Sequence, residues 1–231
     1  MGHSKCGRLA LVLACILLGG ASRGQETDLP RVLLLGDSIY AGPSRECAKE
    51  LKGKVEVVYR QLEPGVAFTT ANVLEHFDKL IDTGDESKSW DLIHFNVGLG
   101  DLTYRTPGLK SFRVLSRNAG GIRNSTLEEY QTNLKMLVQR LKQIDAPLVW
   151  ASTTPIRSSV NAVFEPGSEV EFNRVAEDLM RLEKVPVNDM HSKIYSLIDR
   201  DRRSSFDPFD FDKKPLHPMI IEVIVQQLDL E

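Results

Sequence analysis

The chain has 231 residues, of which 42% are hydrophobic and 26% are charged, a composition typical of a globular protein. This composition excludes a disordered tail, a collagen-like repeat and a polytopic membrane protein. A formal net charge of −3 gives no positive field that would hold nucleic acid non-specifically.

The first 24 residues have the pattern of a secretory signal peptide. A short basic start is followed by an apolar run over residues 9–18 and then by small residues. This run is too short to span a bilayer comfortably. We therefore expect cleavage near residues 21–24, a periplasmic or extracellular protein, and no stable membrane insertion afterwards. Lipidation at Cys15 is a weaker alternative, because the apolar run continues beyond this cysteine.

The mature chain, residues 25–231, is expected to form one domain held together by its hydrophobic core. Removing the signal peptide takes away three basic residues and no acidic one, which leaves 26 basic and 32 acidic residues and a charge of about −6. Cys47 is the one cysteine that remains. An intramolecular disulfide is therefore impossible, and the fold must be stabilised by its core.

Apolar runs and helical patterns alternate from the start of the mature chain. Arg31–Leu35 is a continuous apolar run closed by Gly36, which is typical of a strand buried on both faces. Residues 102–123, rich in Gly, Arg and Ser, break this alternation and are too long for a simple connector. We interpret them as a functional insertion or lid. Before them, the spacing predicts a helix over 44–51, a strand over 55–59, a helix over 70–81 and a strand over 91–97.

The alternation resumes with a capping-box pattern formed by Ser125 and Glu128, which begins a helix expected to reach Leu141. Five strands, each followed by a helix, indicate one α/β domain with a parallel sheet and helices on both faces. Ligands of such sheets bind at the carboxyl ends of the strands. The remaining predicted elements are strands over 146–151 and 185–188 and helices over 170–182, 190–200 and 218–229.

A serine after the first strand and a histidine before the last helix are the candidate catalytic residues. Ser38, after Gly36 and Asp37, can attack a carbonyl and offer its own N–H to the oxyanion at a helix start. The simpler interpretation is that Asp37 or Ser38 only caps this helix. His217, followed by Pro218, is either a surface histidine or a general base. Together, Ser38 and His217 are the two halves of a nucleophile and base pair.

On these residues the chain resembles the SGNH or GDSL hydrolases, in particular exported members from planctomycete-type bacteria. The resemblance implies a three-layer, flavodoxin-like fold and a serine ester hydrolase that needs no cofactor. It implies Ser38 as nucleophile, His217 as base, and an oxyanion hole formed by the amides of Ser38 and Gly65 and by an asparagine after the third strand. The matching segments are residues 33–39, 90–102, 130–134, 150–155, 172–176, 185–189 and 216–218.

Two positions depart from the pattern of this family. Gly100 occupies the place of the asparagine, and Asn96 is either a substitute side-chain donor or a structural residue at a strand end. Lys214 occupies the place of the triad aspartate, so we predict Asp212 as the acid. Loss of one oxyanion donor lowers the rate by roughly 10²–10³. Asp37, beside the serine, is a further candidate for substrate contact.

We therefore predict an exported ester hydrolase that forms an acyl-enzyme and acts on small-molecule esters or on acyl or acetyl esters of carbohydrates. No spacing typical of a metal site is present. Two alternatives stay open: an O-acyltransferase with the same machinery, and a catalytically impaired domain that binds glycans.

The insertion is locally basic in an acidic protein. Its five cations either form a solvated surface or border the cleft and recognise an anionic or sugar substrate. These cations are Arg105, Lys110, Arg113, Arg117 and Arg123.

Overall fold

The computed structural model describes residue 1 and residues 28–109, 112–156, 162–197 and 216–230. The predicted signal peptide, apart from its first residue, lies outside the described residues. Lys110, the predicted triad acid Asp212 and the neighbouring Lys214 also lie outside them.

A five-stranded parallel sheet forms the centre of the molecule, with the order β2-β1-β3-β6-β7, which confirms the predicted α/β fold. A separate two-stranded antiparallel sheet pairs β4 with β5. The strands are β1 (Arg31–Leu35), β2 (Glu56–Arg60), β3 (Leu92–Phe95), β4 (Tyr104–Arg105), β5 (Ile122–Arg123), β6 (Leu148–Ala151) and β7 (Val187–Asn188).

Helices cover the sheet in two groups: α1 packs against α8, and α5 packs against α2 and α6. All five side chains of β1 are buried. Because alternate residues of a strand face opposite sides, both faces of the sheet are covered. The helices are α1 (Ala41–Glu50), α2 (Thr70–Glu75), α3 (Phe77–Ile81), α4 (Leu99–Leu102), α5 (Leu127–Leu141), α6 (Ser168–Glu183), α7 (Met190–Leu197) and α8 (Leu216–Gln227).

The strand order places the first strand beside a topological switch point. The chain runs outward from β1 to β2, and then crosses back to β3 on the other side of β1. In open parallel sheets, ligands bind at the carboxyl ends of the strands where the order reverses in this way. The residues that follow β1, β2 and β3 are therefore where a site is expected.

Two predicted helices differ in detail from the observed ones. The helix predicted over 70–81 is interrupted at His76, between α2 and α3. Next to the break, Arg140 of α5 donates to the Leu74 carbonyl oxygen at 3.0 Å. The capping box of α5 is formed by Thr126 and Glu129, one residue later than predicted. Ser125 does not cap, because its hydroxyl donates to the Asp101 carboxylate at 2.6 Å.

The insertion over residues 102–123 contains structure that the sequence did not reveal. Tyr104 pairs with Arg123 and Arg105 pairs with Ile122 in the antiparallel β4-β5 ladder. Val114 forms a further antiparallel bridge with Arg105. The insertion is therefore a small folded unit that lies after β3, rather than an irregular loop.

Large apolar side chains on both sides of the central sheet form the core, and the largest fully buried ones are Trp150, Tyr130, Phe95 and Phe172. The ring centroids of Tyr130 and Phe172 are 4.8 Å apart, which joins α5 to α6. Within the described residues, no helix is long and apolar enough to cross a membrane.

Candidate active site

Ser38 lies in the turn between β1 and α1 and is exposed, although both of its neighbours are buried. The Asp37 carboxylate accepts a hydrogen bond from the Ile39 N–H at 2.8 Å, and the Tyr59 hydroxyl donates to the Asp37 carbonyl oxygen at 2.7 Å. These two bonds fix the backbone on either side of the serine. The turn therefore presents Ser38 to solvent at the carboxyl end of the first strand.

Gly36 makes this turn possible by its small size. A Cβ atom at this position would lie 2.6 Å from a ring carbon of Tyr40, far inside van der Waals contact. The Tyr40 ring is itself buried, and its hydroxyl donates to the Met190 sulfur at 3.2 Å. Any side chain at Gly36 would displace Tyr40 and, with it, the first residues of α1.

A cleft of about 550 Å³ brings Ser38 together with Gly65 and Gly100. These three residues follow β1, β2 and β3, so the carboxyl ends of three neighbouring strands contribute to one site. Gly65 adopts a positive φ of 89°, which favours glycine. The cleft is lined by Asp37, Ser38, Gln61, Leu62, Glu63, Pro64, Gly65, Val66, Ala67, Phe68, Leu99, Gly100, Thr103, Phe112, Val114, Val163 and Phe164.

Two backbone donors in this cleft are available to a ligand. Among the described residues, no group accepts a hydrogen bond from the N–H of Ser38 or of Gly65. Nor does any described group pair with the Ser38 hydroxyl. A nucleophile and two free N–H donors in one cleft supply the attacking group and the oxyanion donors of acyl transfer.

Asn96 lies away from this cleft. Its side chain is buried and donates to the Ala151 carbonyl oxygen at 2.7 Å, so it joins β3 to β6. Of the two interpretations that the sequence left open, this position corresponds to the structural residue. A role for Asn96 as an oxyanion donor would require its amide to leave the neighbouring strand.

Gly100 has no room for the asparagine that the related pattern carries. A Cβ atom there would lie 2.2 Å from the Phe68 carbonyl oxygen and 2.5 Å from its carbonyl carbon. The backbone that follows β2 therefore occupies the space that a side chain at position 100 would need. Because the obstacle is backbone rather than the tip of a flexible side chain, it cannot move aside cheaply.

The neighbouring Asp101 is a structural residue beneath the cleft. Its buried carboxylate accepts hydrogen bonds from the N–H and the hydroxyl of Thr70, at 2.9 and 2.7 Å, and from the Ser125 hydroxyl. Burial raises the pKa of Asp101 from 3.8 to about 6, although these hydrogen bonds oppose the shift. Asp101 therefore fastens the start of α2 and the start of α5 to the residues after β3.

His217 does not lie beside Ser38 in the described structure. Its Nε2 is 2.9 Å from the Glu50 Oε1, at the last residue of α1, whereas Ser38 precedes the first. The ten residues of α1 extend about 15 Å, which is beyond the combined reach of these side chains. The His217 carbonyl oxygen is 3.7 Å from the sulfur of Cys47, which lies in the last turn of α1. The backbone of His217 therefore also packs at this end of the helix. The role of His217 as a base stays a prediction, as does that of Asp212.

The described cations of the insertion do not line the cleft. Glu165 binds Arg117 at 2.9 Å and Arg123 at 2.8 Å. The Arg123 guanidinium also lies over the rings of Tyr104 and Phe172, at 5.6 and 5.7 Å. The insertion contributes Thr103, Phe112 and Val114 to the cleft instead, so its contribution there is mainly apolar.

His94 is a fully buried core residue of β3. Its Nε2 is 3.2 Å from the Asn188 amide nitrogen, and its ring centroid is 6.0 Å from that of Tyr40. Burial lowers the pKa of His94 to about 4, so the ring is neutral at physiological pH. His94 takes no part in the cleft.

Three polar residues of the cleft, Gln61, Glu63 and Thr103, are not among the site residues that the sequence predicts. Gln61 directly follows β2, so its place at a strand end was a usable signal. Thr103 lies inside the insertion, where no sequence pattern distinguishes it. No three His, Cys, Asp or Glu side chains are grouped as metal ligands in the part of the chain that the structure describes.

The site and sheet define an α/β protein with an exposed serine after its first strand, and solved structures share its fold. A lipase/acylhydrolase from Enterococcus faecalis is similar with a TM-score of 0.61 and 17% identity, covering 86% of this chain and 97% of that chain. An acetylxylan esterase from Geobacillus stearothermophilus, solved as a catalytic serine-to-alanine mutant, is similar with a TM-score of 0.58 and 13% identity. The match covers 87% of this chain and 95% of that chain.

A GDSL-like lipase from Bacteroides thetaiotaomicron gives a TM-score of 0.57 and 14% identity, covering 86% of this chain and 87% of that chain. No protein-family model and no curated protein matches the chain. The solved structures show that the chain has the fold of the GDSL or SGNH hydrolases, as the sequence predicts.

Proposed function

We propose that this protein is a carboxylic ester hydrolase of the SGNH type, with Ser38 as its nucleophile. The observation that carries the proposal is the exposed Ser38 hydroxyl in one cleft with the N–H groups of Ser38 and Gly65, neither of which has a described acceptor. The esterases and lipases that share the fold support it, and one of them was solved as a catalytic serine-to-alanine mutant.

The proposed reaction proceeds in two steps. The Ser38 oxygen attacks the ester carbonyl carbon, and the N–H groups of Ser38 and Gly65 stabilise the negative oxygen of the tetrahedral intermediate. Collapse of this intermediate breaks the ester C–O bond, releases the alcohol and leaves an acyl-enzyme. Water then attacks the acyl carbon, the carboxylic acid leaves, and Ser38 recovers its proton.

His217 is proposed as the base that takes the Ser38 proton and passes it to the leaving alcohol, with Asp212 as its acid. Because Nε2 lies against Glu50 in the described structure, this role requires the first turn of α8 to leave Glu50 and approach Ser38. Export is proposed from the signal-peptide pattern. Esters of carbohydrates are proposed as substrates, with the acetylxylan esterase as support.

Replacement of the nucleophile tests the proposal directly. Ser38→Ala should lower kcat/KM on p-nitrophenyl acetate at least about 10³-fold, because it removes the attacking oxygen. Ser87→Ala, an equally small change at another exposed serine, serves as the control and should leave activity unchanged. Both variants should keep the wild-type circular dichroism spectrum. Full activity of Ser38→Ala would refute the assignment of the nucleophile.

A binding domain without catalysis is the second candidate. It is favoured by one observation, namely that His217 pairs with Glu50 at the end of α1 remote from Ser38. A fluorophosphonate probe separates the two candidates, because it labels a serine only where the hydroxyl is activated. Labelling that is lost in Ser38→Ala supports the hydrolase, and absence of labelling supports the binding domain.

A further inference from the structure

The walls of the cleft around Ser38 are largely apolar. Leu62, Phe68 and Leu99 are nearly buried in it, whereas Val66 and Val114 keep 38% and 51% of their surface exposed. Apolar side chains that line one concave site next to a candidate nucleophile indicate a ligand with an apolar part. In the absence of such a ligand, this surface stays in contact with water.

Backbone hydrogen bonds build the outer wall of the cleft from two separate segments. The Thr106 N–H donates to the Arg113 carbonyl oxygen at 2.8 Å and the Leu115 N–H donates to that of Tyr104 at 3.1 Å. The Tyr104 N–H donates to the Val163 carbonyl oxygen at 2.8 Å. Phe112 and Val114 on one segment and Phe164 on the other therefore belong to one connected wall.

Electrostatics restrict the ligand further. No lysine, arginine or histidine lines the cleft within the described residues, and Glu63, which lines it, is ion-paired with Lys79. Arg117 and Arg123 of the insertion are bound to Glu165 instead. A negatively charged acyl group would find no cation among the described lining residues, whereas a neutral, apolar one would gain from the apolar wall.

We propose that this cleft is an acyl pocket that selects esters of neutral, apolar acids larger than acetic acid. Val66, Phe112, Val114 and Phe164 would set the preferred acyl length and shape. The inference rests on the proposed attack by Ser38 and adds the substrate class to it. An acetyl group alone would leave most of this wall in water, whereas a longer alkyl or aromatic acyl group would cover it.

Two ester series test the pocket. In the first series, the alcohol is always p-nitrophenol and the acyl chain lengthens from acetyl to octanoyl. In the second series, the acyl group is always acetyl and the alkyl chain of the alcohol lengthens by the same number of carbon atoms. Each methylene buried in the pocket should raise kcat/KM about fourfold in the first series until the cleft is filled. The second series should stay within about twofold of its starting value. The reverse pattern would overturn the proposal.

Matched variants locate the effect in the wall. Val114→Asp and Val66→Asp should flatten the acyl series, whereas Val170→Asp should keep both the acyl preference and the acetyl-ester hydrolysis of the wild type. Val170→Asp is the control, because Val170 is exposed to a similar extent, 54%, but lies on α6 and does not line the cleft. An unchanged acyl preference in Val114→Asp and Val66→Asp would refute the assignment of the wall.

A binding measurement separates this proposal from the proposed function. Ser38→Ala is titrated with methyl hexanoate and methyl acetate, and binding is followed by saturation-transfer NMR. Tighter binding of the hexanoate, weakened by Val114→Asp and not by Val170→Asp, supports the pocket even if no ester is hydrolysed by the wild type. Equal binding of the two esters refutes the pocket even if p-nitrophenyl acetate is hydrolysed.

Discussion

The two ends of α1 differ in how completely they assemble a catalytic site. At its start, Ser38 shares a cleft with Gly65 and Gly100, and all three follow strands of the same sheet. At its end, Glu50 pairs with His217 of α8. Connectivity places the first group, because each residue lies in the segment that follows a strand. The position of His217 depends on how a distant helix packs, and this is where the expected triad and the described structure differ.

Replacement of His217 is the strongest test of this difference. If His217 acts as the base, His217→Ala should lower kcat/KM on p-nitrophenyl acetate by about 10³, the usual contribution of general base catalysis. Glu50→Gln weakens the contact between residue 50 and His217. It should keep or raise activity, because the histidine is then free to leave the end of α1. Steady-state kinetics measures both. Activity within twofold of wild type in His217→Ala would exclude His217 as the base.

Two buried titratable groups, His94 of β3 and Asp101 of α4, should respond to acid in opposite directions. The pKa of His94 falls from 6.5 to about 4 through burial. Between these values the unfolded chain binds a proton that the native protein does not. The free energy of unfolding should therefore decrease as pH falls through this window, by about 3 kcal/mol in total.

Asp101 behaves in the opposite sense, because burial raises its pKa from 3.8 to about 6. Between these values the native protein holds a proton that the unfolded chain has released. The free energy of unfolding should rise as pH falls through this window, again by about 3 kcal/mol. The two contributions overlap and largely cancel between pH 4 and 6.

Single variants uncover these hidden contributions. Relative to wild type, His94→Gln should become more stable as pH falls from 6.5 to 4, and Asp101→Asn should become less stable as pH falls from 6 to 3.8. Urea unfolding at a series of pH values measures both differences. A pH-independent difference for either variant would show that its side chain does not titrate as the structure indicates.

The sheet and the serine were predictable because their signals are local. Arg31–Leu35 was recognised with its observed bounds, since a strand buried on both faces is a continuous apolar run. Ser38 is predicted because it follows the first strand, and Gly65 because the resemblance implies a glycine after the second. The two-residue strands β4 and β5 are too short to have a period, so nothing in the sequence distinguished them from loop.

Other features depend on contacts between distant residues. Ser125 and Thr126 are both good capping residues. The choice between them depends on Asp101, because its carboxylate accepts the hydrogen bond of the Ser125 hydroxyl. Helical periodicity predicted α8 but does not encode which end of α1 it begins against. The apolar wall formed by Val114 and Phe164 needs the backbone pairing of the insertion with residues 162–164, which no local pattern contains.

Gly100→Asn tests how rigid the backbone around the cleft is at the start of α1. Its expected effect is the smallest of these predictions. It restores the residue of the related pattern, but its Cβ would meet the Phe68 carbonyl oxygen at 2.2 Å. We expect a loss of about 2 kcal/mol in the free energy of unfolding and no gain in activity, because Phe68 must move and it lines the cleft.

Gly42→Asn is the matched control, because a Cβ at Gly42 of α1 meets nothing within 4 Å. It should be at least as stable as wild type, since glycine is the poorer helix former. Chemical unfolding and acetyl-ester kinetics on both variants give the comparison. Wild-type stability together with a higher kcat in Gly100→Asn would mean that the backbone after β2 yields readily. The missing asparagine, rather than the position of His217, would then be what limits the site.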